Sequence, residues 1–127
     1  MSELVLADTS IWITHLRQGD KHFIQLLELG YVSYHPFIVV ELACGSLKNR
    51  REIIQMPEDL PMVGILEHGE VMAFIESHKL MSLGIGYIDT HLLGSALFSD
   101  VPSWTFDKSL NRSAALLGVK YNNLSLR

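Results

Sequence analysis

Hydrophobic and polar positions alternate between two patterns along this chain, short unbroken apolar runs and longer stretches spaced at three and four. Leu4-Val5-Leu6-Ala7 is of the first kind, as in a strand covered on both faces, and Asp8-Thr9-Ser10 after it offers a helix cap. Ile11, Trp12, Ile13 and Leu16 then continue helically to Arg17. Gly19-Asp20 interrupts, Phe23, Leu26 and Leu27 resume the helical spacing, and Gly30 ends the second helix. Tyr31-Val32-Ser33-Tyr34 predicts a second strand, and Pro36 suits the first turn of a helix reaching about Ala43 with Val39, Leu42 and Ala43 as its apolar face. That assignment leaves Glu41 inside an otherwise hydrophobic segment.

Lys48-Asn49-Arg50-Arg51 predicts a basic turn or helix start, followed by Ile53-Ile54 and by a loop punctuated at Pro57 and Pro61. Glu67 to about His78 predicts an amphipathic helix, with Val71, Phe74 and Ile75 inward and Glu70 and Glu76 outward. Gly84 and Gly86 precede Asp89-Thr90, after which Leu92, Leu93, Ala96 and Leu97 restore the helical period. Pro102 to Phe106 predicts a third strand. Asp107 then caps a helix carrying Leu110, Ala114 and Leu117 inward to Gly118, and Val119-Lys120-Tyr121 is a candidate edge strand. Short strands alternating with helices argue a parallel α/β sandwich with right-handed crossovers, whose ligands bind beyond the carboxyl ends of the strands. Asp8 and Asp107 both stand at that end.

Length and composition narrow the reading. The chain has 127 residues, 48% hydrophobic and 19% charged, which suits one globular domain and excludes a disordered chain. Its longest stretch without Asp, Glu, Lys or Arg, Leu29 to Val40, is too short to span a bilayer. Met1-Ser2-Glu3 has no basic leader region, so a cytoplasmic protein is expected. Cys44 stands alone beside Leu42 and Ala43, which predicts a buried, reduced thiol and excludes a disulfide framework. The net charge of −4, from 14 acids and 10 bases, argues against a simple nucleic-acid coat protein. It leaves room for an enzyme that gathers acids into one site.

Four acids are candidates for that site. Asp8, Asp89 and Asp107 each stand at a predicted helix start, where capping alone would account for them. Glu41 gains nothing from capping: either it reaches water or it points into a shared polar site. Were the four to converge, like charges near 4 Å would repel by about 4 kcal/mol per pair at an effective dielectric of 20. Raised carboxyl pKa values or a divalent cation would have to offset that repulsion. An all-oxygen set without Cys or paired His suits Mg²⁺ or Mn²⁺ rather than Zn²⁺.

Taken together, Leu4-Val5-Leu6-Ala7-Asp8-Thr9-Ser10-Ile11-Trp12, Val39-Val40-Glu41-Leu42 with Gly45, Asp89-Thr90-His91-Leu92-Leu93-Gly94-Ser95-Ala96 and Trp104-Thr105-Phe106-Asp107 resemble the PIN-domain nucleases, and among them the VapC toxins of toxin–antitoxin pairs. The resemblance covers nearly the whole chain as one PIN domain, 1–127. It implies a central parallel β-sheet flanked by helices, metal-dependent cleavage of RNA, a homodimer or larger toxin–antitoxin complex, and a cognate VapB-like antitoxin. By position, it implies Asp8 and Asp89 as principal Mg²⁺ ligands, with Mn²⁺ as substitute. Glu41 would help hold water at the ion, Asp107 would complete the acidic pocket or bind a second ion, and Thr105 would orient the Asp107 carboxylate.

Other groups carry less. The six histidines lack metal-type spacing, which predicts surface or locally bonded rings, with His91 notable for its place two residues after Asp89. Trp12 and Leu16 suit either the core or an apolar groove for an antitoxin segment. Lys48, Arg50, Arg51, Lys108 and Arg112 suit either solvated charges or phosphate contacts. Rival readings are a catalytically silent PIN-like module that binds RNA or protein, and a solitary RNA-processing nuclease without an antitoxin. A haloacid-dehalogenase-type phosphatase would need a second Asp where Ser10 stands.

Overall fold

The computed structural model describes residues 3–48 and 50–122; Met1, Ser2 and Asn49 of the segments read above, and the end of the 1–127 domain, lie outside the described residues. Three parallel strands form the sheet: β1 (Val5–Ala7), β2 (Val32–Ser33) and β3 (Ser103–Trp104), in the order β2-β1-β3. Val5 pairs with Val32 and Leu6 with Ser33 on one side, and Leu6 pairs with Ser103 and Ala7 with Trp104 on the other. Single parallel bridges, Tyr34 to Met62 and Ser103 to Lys120, extend both edges. The expected last edge strand is therefore one bridge, in which Ser103 donates to Val119 and accepts from Tyr121. All of β1 is buried, which explains its unbroken apolar run in place of an alternating one.

Among the described residues, seven α-helices flank the sheet: α1 (Thr9–Gln18), α2 (Lys21–Leu29), α3 (Pro36–Cys44), α4 (Arg50–Gln55), α5 (His68–His78), α6 (Tyr87–Ser99) and α7 (Lys108–Leu116). The loop expected around Pro57 is partly a 3-10 turn, Met56–Asp59. Helix ends follow local chemistry. Gly30 closes α2 at φ 77°, a left-handed position that suits glycine, and Pro36 opens α3 where no amide partner is needed. Glu67 and Glu70 form a capping box before α5.

Two packed clusters make up the core. One gathers β1 with Ile11, Trp12, Phe23, Leu26, Ile38, Leu42 and Leu92; the other gathers Phe74, Leu80, Leu93, Leu110, Ala114 and Val119. Helix α6 belongs to both through Leu92 and Leu93, and its residues from Thr90 to Ala96 are all buried. Such a helix shows apolar residues on every side.

Three expectations need correction. The buried face of α3 is Ile38 and Leu42, with Val39 and Ala43 only half-buried, because the helix starts at Pro36 and its phase follows from that. Cys44 is exposed: as the last residue of α3 it lies beyond the packed turn, and an apolar sequence neighbourhood did not decide its burial. His91 is buried, not at the surface, whereas His35, also buried, bonds locally to the Phe37 N–H and His68 and His78 are exposed, as expected.

Candidate active site

Asp8 follows β1 directly, and its carboxylate performs two tasks. Oδ1 accepts the backbone N–H groups of Ser10 at 3.0 Å and Ile11 at 3.3 Å, capping α1, and also accepts the Ser10 hydroxyl. Oδ2 accepts the hydroxyl of Thr105, which arrives from the end of β3. Burial raises the Asp8 pKa, opposed by these hydrogen bonds from Ser10, Thr105 and Ile11. Three donors saturate Oδ1, while Oδ2 has one and keeps a lone pair free for a cation or a proton.

The Thr105 Oγ1 that donates to Asp8 also accepts the Asp107 backbone N–H at 2.9 Å. The resemblance assigned this hydroxyl to the Asp107 carboxylate, whereas in the structure it orients the carboxylate of Asp8. Asp107 itself is exposed, and its Oδ1 caps α7 through Leu110 N–H at 2.9 Å. Ser10 ties the same loop down a second time, since its Oγ accepts the Phe106 N–H at 3.0 Å.

Glu41 sits half-buried in the second turn of α3, and its Oε1 accepts the hydroxyl of Thr9. That contact spans from α3 to α1 and aims the one acid that no helix end holds. Sequence reasoning missed Thr9 and Ser10 as partners of the acids; the signal available was a pair of hydroxyl residues immediately after Asp8.

Asp89 is the third residue of α6 and accepts a hydrogen bond from the Gly86 backbone, as a first-turn acid does. Its pKa is pushed up to about 6, first by burial and then by the negative charges of Asp107, Asp8 and Glu41 in that order. Asp89 therefore lies within the field of the other three sequence-selected acids, although three of the four also serve as helix-end residues. Among the described residues, no three His, Cys, Asp or Glu side chains close on a common point as an ion's ligand shell would require. The arrangement is an acidic pocket with oxygen donors, open rather than drawn together.

His91 takes no part in the acid cluster. It is buried against Tyr87, Phe37 and His35, with ring centroids at 4.7, 4.8 and 6.3 Å, and burial lowers its pKa. Burial, with His91 second, pushes His35 down to about 4, so at neutral pH its uncharged Nδ1 accepts the Phe37 N–H and caps α3.

Trp12 is fully buried edge-on against Phe23, at 4.8 Å and 76°, and so belongs to the core and not to a groove. Leu16 does line a groove of about 550 Å³, with Arg17, Leu47, Lys48, Ile53 and Met56. A smaller hollow shares Arg17 and Leu47 with it and is lined also by Ile13 and Glu41, which is one of the four acids. Lys48, Arg50, Arg51, Lys108 and Arg112 are all exposed, and Arg50 donates from Nε to the Ala43 carbonyl near the end of α3.

No protein-family model matches the chain. Curated proteins do: it is 37% identical over 117 residues, 91% of this chain and 94% of the relative, to Ribonuclease VapC32 of Mycobacterium tuberculosis, in two strains. The parallel sheet flanked by helices is consistent with the PIN-like fold of such proteins. With that identity carried across nearly the full length of both proteins, the chain belongs to the VapC family of ribonucleases.

Proposed function

We propose that this chain is a Mg²⁺-dependent endoribonuclease that hydrolyses RNA phosphodiester bonds, with Asp8, Glu41, Asp89 and Asp107 as its catalytic and metal-holding acids. The observation that carries the reading is the environment of Asp89, whose carboxyl meets the charges of the other three. A group of this kind is costly to keep ionised at neutral pH without a cation beside it. The oxygen-only donor set and its concentration of charge fit Mg²⁺ or Mn²⁺. Such an ion, when bound, neutralises charge on the phosphodiester and makes water more acidic.

The chain's own residues prepare the pocket. Ser10 and the first turn of α1 hold Oδ1 of Asp8, leaving Oδ2 as the oxygen with spare capacity. Thr9 fixes Glu41, and Thr105 with Ser10 fixes the loop that carries Asp107. The acids before α1 and α7 and within α3 and α6 are thus held on separate supports.

The same reading makes the chain the cytoplasmic toxin of a VapBC-type pair. No helix among the described residues is long and apolar enough to cross a membrane. The groove from Met56 and Leu16 and the hollow adjoining it support an antitoxin segment as occupant, since they join apolar walls to Arg17, Lys48 and Glu52 and reach Glu41. Exposed Tyr87 and Leu116 supply apolar surface for self-association into the proposed homodimer.

Cleavage of single-stranded or structured RNA is the test. Activity is expected with Mg²⁺ or Mn²⁺, absent in EDTA, and lost in folded Asp8→Asn and Asp89→Asn variants. Cleavage that persists in either folded variant removes these acids from the mechanism. The openness of the pocket favours one rival, a silent RNA- or protein-binding module. A folded protein that shows neither Mg²⁺-induced stabilisation nor cleavage decides for that rival.

A further inference from the structure

Beside the acids lies a row of rings that the proposed chemistry leaves without a task. Phe106, between Thr105 and Asp107, is 52% exposed, and its backbone N–H is held by Ser10 Oγ. Its ring meets Trp104 edge-on, with centroids 6.1 Å apart. Trp104 in turn meets Tyr121 at 5.6 Å and His22 at 5.2 Å. The row is braced from behind, since Tyr121 and His22 stack at 28° and share a hydrogen bond of 2.8 Å, and Phe23 backs Trp104 at 6.1 Å. His22, Trp104 and Tyr121 remain half-buried, so each keeps some ring surface in reach of solvent.

Core packing does not explain Phe106, which stands next to Asp107 in the chain with half of its surface in water. Three lysines stand next to the row or the site in sequence. Exposed Lys21 and Lys120 adjoin His22 and Tyr121 in the chain, and exposed Lys108 follows Asp107. The Asp20 carboxylate nearby is occupied in capping α2 through Phe23 N–H. Rings interleaved with lysines are the surface that binds unpaired nucleotides, because every base offers a face to stack and every linkage a negative charge.

We propose that Phe106, Trp104 and the Tyr121–His22 pair form a stacking lane for unpaired RNA bases leading away from the acidic pocket, with Phe106 as the platform for the base beside the cut. This rests on the ribonuclease reading above and adds to it the side on which the substrate strand lies. It also restricts the substrate to RNA that is single-stranded next to the scissile bond.

The test measures binding of a fluorescent single-stranded RNA by anisotropy in EDTA, alongside cleavage by the wild-type chain in Mg²⁺. Phe106→Leu keeps an apolar side chain but removes the π-face, and is expected to weaken binding roughly 5- to 150-fold. Phe106→Trp is expected to bind within a few-fold of wild type. Phe98→Leu removes a still more exposed ring from the far end of α6 and is expected to leave RNA binding unchanged. If the wild type cleaves RNA while Phe106→Leu binds it undiminished, the lane is overturned, its surface is left to a protein partner, and the ribonuclease reading stands. Equal losses in Phe98→Leu and Phe106→Leu overturn it also. A wild type that neither binds nor cleaves single-stranded RNA removes both.

Discussion

Thr105 and Asp8 are 97 residues apart in sequence and joined by one hydrogen bond, in which the Thr105 hydroxyl donates to Asp8 Oδ2. Through the same oxygen, Thr105 accepts the Asp107 N–H, so a single side chain ties the ends of β1 and β3 to the first turn of α7. Thr105→Val keeps the shape and removes the donor. Loss of such a supporting partner is expected to lower cleavage or metal affinity by about 10- to 100-fold. Thr105→Ser is expected to retain most of both, and Mn²⁺ titration by calorimetry on the three proteins checks the ordering.

Asp89 gives the pH dependence. Its ordinary pKa of 3.8 rises to about 6 in the folded chain, so the fold binds its proton more tightly than the unfolded chain does. The stability this lends to the metal-free protein is complete below the ordinary value and is lost as the pH rises through about 6. Asp89→Asn is therefore expected to raise the melting temperature of metal-free protein at pH 7.5 by about 3–5 °C, allowing for solvent screening of a half-buried group. That difference should vanish near the ordinary carboxyl range, and the variant should not cleave RNA. Melting curves across that range in EDTA decide it.

Added Mg²⁺ or Mn²⁺ should relieve the same repulsion. A ligand that binds only the folded state at 100 times its Kd stabilises by about 2.7 kcal/mol, which for a chain of this length is a readily measured thermal shift. The shift is expected in wild type, reversed by EDTA, and much reduced in Asp8→Asn. An equal shift in Asp8→Asn would place the ion elsewhere.

Much of this site was legible because local rules applied to it. The run at β1, the caps at Asp8 and Asp107 and the glycine at the end of α2 are set by residues within a few positions of each other, and they appear where the pattern put them. The expectation that Glu41, Asp8 and Asp107 bear on Asp89 came instead through the fold class and the family resemblance, since nothing local relates Glu41 to Asp89. The hydroxyl partners lay beyond both routes. Thr9 bonds Glu41 across 32 positions and Thr105 bonds Asp8 across 97, and only the packing of α3 on α1 and the pairing of β3 with β1 make those contacts. Cys44 and Trp12 misled or divided the reading for a related reason: burial is fixed by what packs over a residue, and sequence neighbours do not report it.

Gly94 shows how tightly the acid-bearing α6 is held. A Cβ there would stand 2.4 Å from Leu66 Cδ1 and 3.2 Å from Phe74 Cδ2. The leucine tip can rotate away, but the Phe74 ring is fixed in the second core cluster on α5. Alanine favours a helix over glycine by about 1 kcal/mol, whereas overpacking a filled core costs about 1–3 kcal/mol. Gly94→Ala is expected to destabilise the fold by about 1–2 kcal/mol in urea unfolding, because the Phe74 contact outweighs the helical gain. Gly69, in the first turn of α5, has nothing within 4 Å of the same added atom. Gly69→Ala is expected to be neutral or to stabilise by up to about 1 kcal/mol, so the two alanines should move the unfolding midpoint in different directions. Should Gly94→Ala prove as harmless as Gly69→Ala, α6 is less constrained by α5 than these contacts indicate, and the fixed placement of Asp89 against the other acids would lose its support.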